Sequence, residues 1–142
     1  MSTLFNAISA SASALDVQRA RMEVAVSNLA NAESTRGPDG QPYRRREVVL
    51  ESAPVDGQDR TFNVQPEGVR VAGVVQDQSP FRRRYEPSHP DADADGFVAM
   101  PNVDVPEEMV DMLGAARAYQ ANLTAIGLIR DTIQRALDLA KS

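Results

Sequence analysis

A chain of 142 residues suffices for one ordinary domain, or a small domain carrying long helices, and is too short for a typical two-domain enzyme. Fifteen basic and 20 acidic side chains leave a formal charge of -5, which argues against a general affinity for phosphate backbones or anionic membrane surfaces. With no cysteine and one histidine, His89, the chain lacks disulfides, thiolate zinc sites, cysteine nucleophiles and the imidazole for a His-rich metal site or a self-contained Ser-His-Asp triad.

The first element runs over residues 4 to 33, where Ile8, Leu15, Met22 and Leu29 recur every seven residues. That is helical periodicity with a narrow apolar seam. No glycine or proline precedes Gly37, and Gly37-Pro38-Asp39-Gly40 supplies a breaker beyond the end. One helix of about 30 residues, roughly 45 Å long, is expected.

Residues 34 to 103 differ in character, holding most of the proline and six of the eight glycines. Four short runs are β-prone: Tyr43 to Glu51, Arg60 to Gln65, Val69 to Asp77 and Phe81 to Glu86. Pro87 to Asp95 reads as a loop. With aromatic residues at 5% and no tryptophan, this part can build only a thin core around a small sheet or β-arm.

A second long helix starts where Asp104 can cap the backbone, Pro106 fits the first turn and Glu107 stands three residues after the cap. From there Met109, Met112, Ala116, Tyr119, Leu123, Ile126, Ile133, Leu137 and Ala140 occupy heptad a and d positions, with Arg130 the one charged interruption. The fold class expected is therefore mainly α with a small β-insert: long N- and C-terminal helices in a coiled-coil or bundle layer, and a β-rich middle segment. No apolar run approaches the roughly 20 residues of a membrane-spanning helix. Residues 1 to 13 carry no Lys or Arg, so they lack the layout of a cleaved secretory signal.

Three features invite a chemical reading. Asp91-Ala92-Asp93-Ala94-Asp95-Gly96 matches the first half of an EF-hand loop, but its twelfth position is Asn102 and prolines replace the flanking helices, so a solvated acidic turn is expected in place of a calcium site. Arg44-Arg45-Arg46 after Tyr43, and Arg82-Arg83-Arg84 after Phe81, could grip single-stranded nucleic acid through phosphates and stacking. In an acidic chain they read more simply as charged strand faces that resist edge pairing or meet acidic neighbours. Glu107 and Glu108 fit a helix N-terminus and its dipole better than acid-base chemistry. No enzyme constellation is present, and neither cofactor nor metal is expected. A small nucleic-acid or regulatory binding module using the two arginine clusters is the alternative function.

The sequence also carries a resemblance. Ser27-Asn28-Leu29-Ala30-Asn31-Ala32-Glu33-Ser34-Thr35 resembles the N-terminal helix motif of bacterial flagellar rod, hook and hook-filament axial proteins. Gly68-Val69-Arg70-Val71, Tyr85-Glu86-Pro87, the run from His89 to Val103, Glu107 to Met112 and Arg117 to Asn122 are similar to the proximal-rod type of flagellar basal-body rod protein, the FlgC family. Membership implies a structural subunit of the periplasmic rod, exported through the flagellar type III apparatus without a cleaved signal peptide. It also implies terminal helices paired as an inner coiled-coil layer around the export channel. The implied organisation is an axial helix over 1–35, a β-rich middle segment over 36–103 and a second axial helix over 104–142. Implied partners are the other proximal-rod and distal-rod proteins, the rod-to-export-gate adaptor and the export apparatus, in homo- and hetero-oligomeric assembly, with no nucleic acid and no small-molecule substrate. The seams and the Asn-Leu-Ala-Asn run together give the expected assembly interface: Leu15, Met22, Asn28, Leu29 and Asn31 on the first helix, and Met109, Met112, Tyr119, Leu123, Ile126, Ile133 and Leu137 on the second.

Overall fold

The computed structural model describes residues 2–54 and 67–141. Ser2–Ala30 forms the first helix, α1. It stops three residues short of the expected end because Asn31 turns its side chain back to the Ser27 carbonyl at 2.8 Å, and tight turns follow at Ala32 and Ser34. The breaker behaves as its glycines require: Gly37 N–H donates to the Gln41 carbonyl at 2.7 Å, and Gly40 takes φ 76°.

The middle segment contains two separate two-stranded antiparallel sheets. In the first, β1 (Arg46–Pro54) pairs with β2 (Glu67–Gln76), and Ala72 is the extra residue of a bulge between the pairs Val49–Gly73 and Leu50–Val71. β1 begins three residues later than the Tyr43 expected for it, because Tyr43 and Arg45 spend their backbone N–H groups elsewhere, on the Ser34 carbonyl and the Asn102 side chain. The strand expected over Arg60 to Gln65 lies outside the described residues. In the second sheet, β3 (Arg82–Tyr85) pairs with β4 (Phe97–Met100). The β4 strand was not anticipated. Its residues are all apolar, giving no alternation to read, and only Gly96 and Pro101 on either side mark it off. Val98 and Met100 on it are buried, as are Pro101 and Val103 just after it.

The helix α2 spans Val105–Lys141 and starts as expected, with Glu107 N–H donating to the Asp104 carboxylate at 3.3 Å. It runs antiparallel to α1. Asn28 meets Glu108, and nine residues towards the start of α1 the Arg19 guanidinium lies in the field of Tyr119, eleven residues further along α2. The positions of α2 that this pairing covers are Glu108, Met112, Ala115, Tyr119, Asn122, Ile126, Ile129 and Ile133, in steps of four and three.

The first hairpin lies along the other side of α1. Arg46 is tied to Asn28, and Val69, the partner of Ser52, donates its N–H to Ser13 Oγ at 3.2 Å. The six steps from Arg46 to Ser52 span about 20 Å as a strand, and residues 28 to 13 of α1 span about 22 Å, so strand and helix keep step over that length. Sandwiched this way, α1 leaves one narrow stripe in solvent: Phe5, Ser9, Ala12, Asp16, Arg19, Glu23, Val26 and Ala30.

Candidate assembly surfaces

The joint where the three parts meet is polar and buried. Asn28 is 1% exposed and Glu108 2%. Asn28 Nδ2 donates to the Arg46 carbonyl at 2.9 Å and to Glu108 Oε2 at 3.0 Å. Its Oδ1 accepts from the Arg46 N–H and from the Tyr43 hydroxyl, both at 2.9 Å. Every hydrogen-bonding site of the amide is thus used, as a buried amide requires. Arg45 Nε donates to Glu108 Oε1 at 2.5 Å, and the same guanidinium also meets Glu47, with Asp77, Glu107 and Asp111 within 4 Å. Burial works against this charge, but the hydrogen bond and field of Glu108, with Glu47 behind them, hold its pKa above the ordinary arginine value. Glu108, which the sequence places in the helix N-terminus for its dipole, is instead the buried anchor of the joint. Asn102, expected to matter only as a defect in a calcium loop, ties Arg45 N–H at 2.8 Å and the Ser79 hydroxyl at 2.8 Å.

Most of the arginines in the two clusters are spent inside the chain. Arg82 donates to the Val103 carbonyl, Arg83 pairs with Asp93 and lies 4.5 Å from the Phe97 ring, and Arg84 pairs with Glu33 and Glu86. Arg44 donates to the Asp77 and Ser79 carbonyls and lies 4.3 Å from the Phe81 ring centre. Arg46 sits over Tyr43 at 5.6 Å. Together these side chains tie parts of the insert to one another and to the segments just outside the helices, Glu33 and Val103.

The acidic run is a set of turns. Asp93 Oδ1 accepts the N–H groups of Phe97 and Asp95, while Asp91 takes the Thr35 hydroxyl and the Arg36 guanidinium. The Phe97 N–H bond, followed by those of Asp95 and Arg83, holds the Asp93 pKa below the ordinary aspartate value. Asp77 is likewise lowered, by the Ser79 N–H and hydroxyl and then by Arg45. Gly96 has φ 82°, and a Cβ there would come within 2.9 Å of the Tyr85 ring, so this turn demands glycine.

Of the residues expected to form the interface, Asn28 is buried in the joint, and Leu15, Met22, Leu29, Asn31, Met112, Tyr119, Ile126 and Ile133 are half-buried. Met109, Leu123 and Leu137 point outward, 49%, 42% and 40% exposed. The single stripe read along the second helix is therefore split. Its Met112, Tyr119, Ile126 and Ile133 half meets α1, whereas Met109, Leu123 and Leu137 join Val110, Leu113 and Leu128 on the outer surface. The intramolecular seam takes Glu108, Ala115, Asn122 and Ile129 in their stead, each one residue earlier than the seam position read from sequence, Arg130 included.

A pair of long helices with an apolar outer face, joined to a small β-insert, is the build of a structural subunit. Residues 94–139 match the family model for the C-terminal part of the flagellar basal-body rod proteins, "Flagellar basal body rod FlgEFG protein C-terminal". The chain is 44% identical over 138 residues to the flagellar basal-body rod protein FlgC of Salmonella typhimurium, covering 97% of this chain and 98% of that one. It is 40% identical to FlgC of Bacillus subtilis, covering 98% and 99%, and 36% identical to FlgC of Aquifex aeolicus, covering 99% and 100%. The chain belongs to the FlgC family of flagellar basal-body rod proteins. It is a structural component of the flagellar basal body and not an enzyme.

Proposed function

We propose that the chain builds the proximal rod, with its terminal helices packed as a coiled-coil layer around the axial export channel, connecting the base to the distal rod and transmitting torque. The observation that carries this reading is the outer surface of α2. Val110 is 68% exposed, and Met109, Leu113, Leu123, Leu128 and Leu137 are 40% to 64% exposed along a helix covered by α1 on one side. Large apolar side chains exposed repeatedly along the free side of one helix fit an interaction site. Leu15, Met22, Asn28, Leu29, Asn31, Met109, Met112, Tyr119, Leu123, Ile126, Ile133 and Leu137 remain the proposed interface. In this reading 1–35 and 104–142 are the axial parts and 36–103 the outer one.

The partners in this reading are the other proximal-rod subunits, the distal rod, the rod-to-export-gate adaptor and the type III export apparatus, through which the chain reaches the periplasmic rod. Deleting the gene and isolating basal bodies tests it. Loss of the rod and of motility is expected, and a normal rod without this chain would overturn it.

A further inference from the structure

Between the loop after α1 and the start of β1 lies a recess of about 530 Å³, lined by Arg36, Asp39, Gln41, Tyr43, Arg44 and Arg46 among others. Its cations are unevenly satisfied. Arg36 is paired with Asp91. Arg44 donates to two carbonyls and Arg46 lies over a ring, and neither stands within ion-pair distance of a carboxylate among the described residues. Arg19, Arg45, Arg70, Arg83 and Arg84 do, while Arg21 and Arg82, like Arg44, bond to neutral oxygens, so what sets Arg44 and Arg46 apart is that they line one recess together. The wall bearing Arg46 is fixed in place: the Tyr43 hydroxyl is held by Asn28 and lies 3.2 Å from the Ser27 hydroxyl, so the ring beneath the guanidinium is anchored in the buried joint. Asp39 contributes one negative charge to the lining, but its Oδ1 already accepts the Gln41 N–H at 3.2 Å.

Charge complementarity points to an acidic occupant, and the same chain carries one of matching form. Most carboxylates of the described residues meet a cation or hold an N–H group. Asp16, Asp95 and Asp131 do neither; Asp16 and Asp131 lie along the helices, whereas Asp95 sits at the exposed tip of the acidic turn, with no hydrogen bond or ion pair to its carboxylate. The turn beneath it is rigid, closed by Gly96 N–H on the Asp93 carbonyl at 3.0 Å and Asp93 N–H on the Phe97 carbonyl at 2.8 Å, with Arg83 clamping Asp93. A carboxylate carried on a braced turn, and a recess whose Arg46 wall is anchored, lose little backbone freedom on meeting.

We propose that the Arg44–Arg46 recess of one copy of this chain receives the Asp95 carboxylate of a neighbouring copy. This rests on the rod reading above and names a contact within it. Knob and recess are different surfaces, so the contact is heterologous: it propagates from copy to copy and does not close a symmetric pair.

The chain has no cysteine, which makes cross-linking clean. Ala94→Cys beside the knob and Gln41→Cys in the recess, expressed together in cells lacking the unmodified chain, should give a disulfide-linked dimer in isolated, oxidised basal bodies. Neither variant alone should give it. Both leave Arg46 and Asp95 intact, so the outcome does not depend on a disrupted contact. In parallel, Arg46→Glu should reduce swimming severalfold, and Asp95→Arg in the same chain should restore it, with the thermal midpoint of the purified protein unchanged. Assembled, motile cells without the mixed dimer would overturn the contact. So would restoration by Asp131→Arg in place of Asp95→Arg, or Arg46-dependent binding of a single-stranded oligonucleotide that weakens steeply with salt. Absence of the unmodified chain from basal bodies would instead remove the rod reading, and this contact with it.

Discussion

Arg45 and Glu108 are unequal partners. The guanidinium retains Glu47, Asp77, Glu107 and Asp111 around it if Glu108 is neutralised, whereas no other cation pairs with Glu108 among the described residues. Breaking a buried pair so that one charge is left behind costs about 3 to 5 kcal/mol. Arg45→Met is therefore expected to destabilise the chain by about 3 kcal/mol, at the lower end of that range because Asn28 still holds the carboxylate, and Glu108→Gln by about 1 kcal/mol, the scale of one hydrogen bond. Urea unfolding of the two variants checks the order, and equal losses would mean that the joint is not organised around Glu108. The depressed aspartates give a second expectation at this scale. Because Asp77 and Asp93 titrate below the ordinary aspartate value of about 3.9, their contribution is complete above it and is lost as pH falls through their folded values. Stability measured from pH 6 to pH 3 should fall at the acid end, and less so in Asp93→Asn.

At the scale of elements, the two faces of α2 can be separated by where a charge is placed. Ile126 is half-buried against α1 and Leu123 is 42% exposed, so Ile126→Asp should lower the stability of the isolated chain by several kcal/mol while Leu123→Asp changes it little. Leu123→Asp should nevertheless abolish rod completion if the outer surface of α2 is an interface. Thermal unfolding and basal-body isolation of the same two variants decide it, and normal swimming with Leu123→Asp would remove that role from this face. These residues also mark how far sequence reaches. Both helices were legible, since heptad repeats and the Asp104 cap are local signals. The face that α2 turns to α1 was not, because the outer positions Met109 and Leu123 are as apolar as the inner ones and the true seam includes Glu108 and Asn122, which read as surface residues. The joint escaped for the same reason: Asn28, Arg45 and Glu108 are 17 and 63 residues apart, and nothing local announces that they meet. In the insert, Val69 and Val71 gave the alternation of β2, while the uninterrupted apolar run of β4 gave none.

The whole molecule exposes 9892 Å², where a compact monomer of 15.4 kDa exposes about 7,200 Å². So little self-burial gives long helices weak support, because ordering each backbone residue costs about 1 to 2 kcal/mol. Purified and dilute, the chain should therefore show less helix by circular dichroism than the 29 and 37 residues of α1 and α2, with the content rising as concentration drives association. Full helicity in a dilute, demonstrably monomeric sample would contradict this.

The antiparallel pairing has one further consequence. At the pole holding Asn28 and Glu108 lie the joint and, tied to Val103 and Glu33 just beyond the helix ends, the second sheet with its acidic turn. At the pole holding Phe5 and Ile133, the described residues are helix alone. Identical copies stacked with their helices aligned would make an object with direction, presenting, among the described residues, helix ends at one extremity and the joint with the second sheet at the other. A body that fits one extremity would not fit the other, so such a stack could be started at one end and continued at the other by different partners without any copy changing shape.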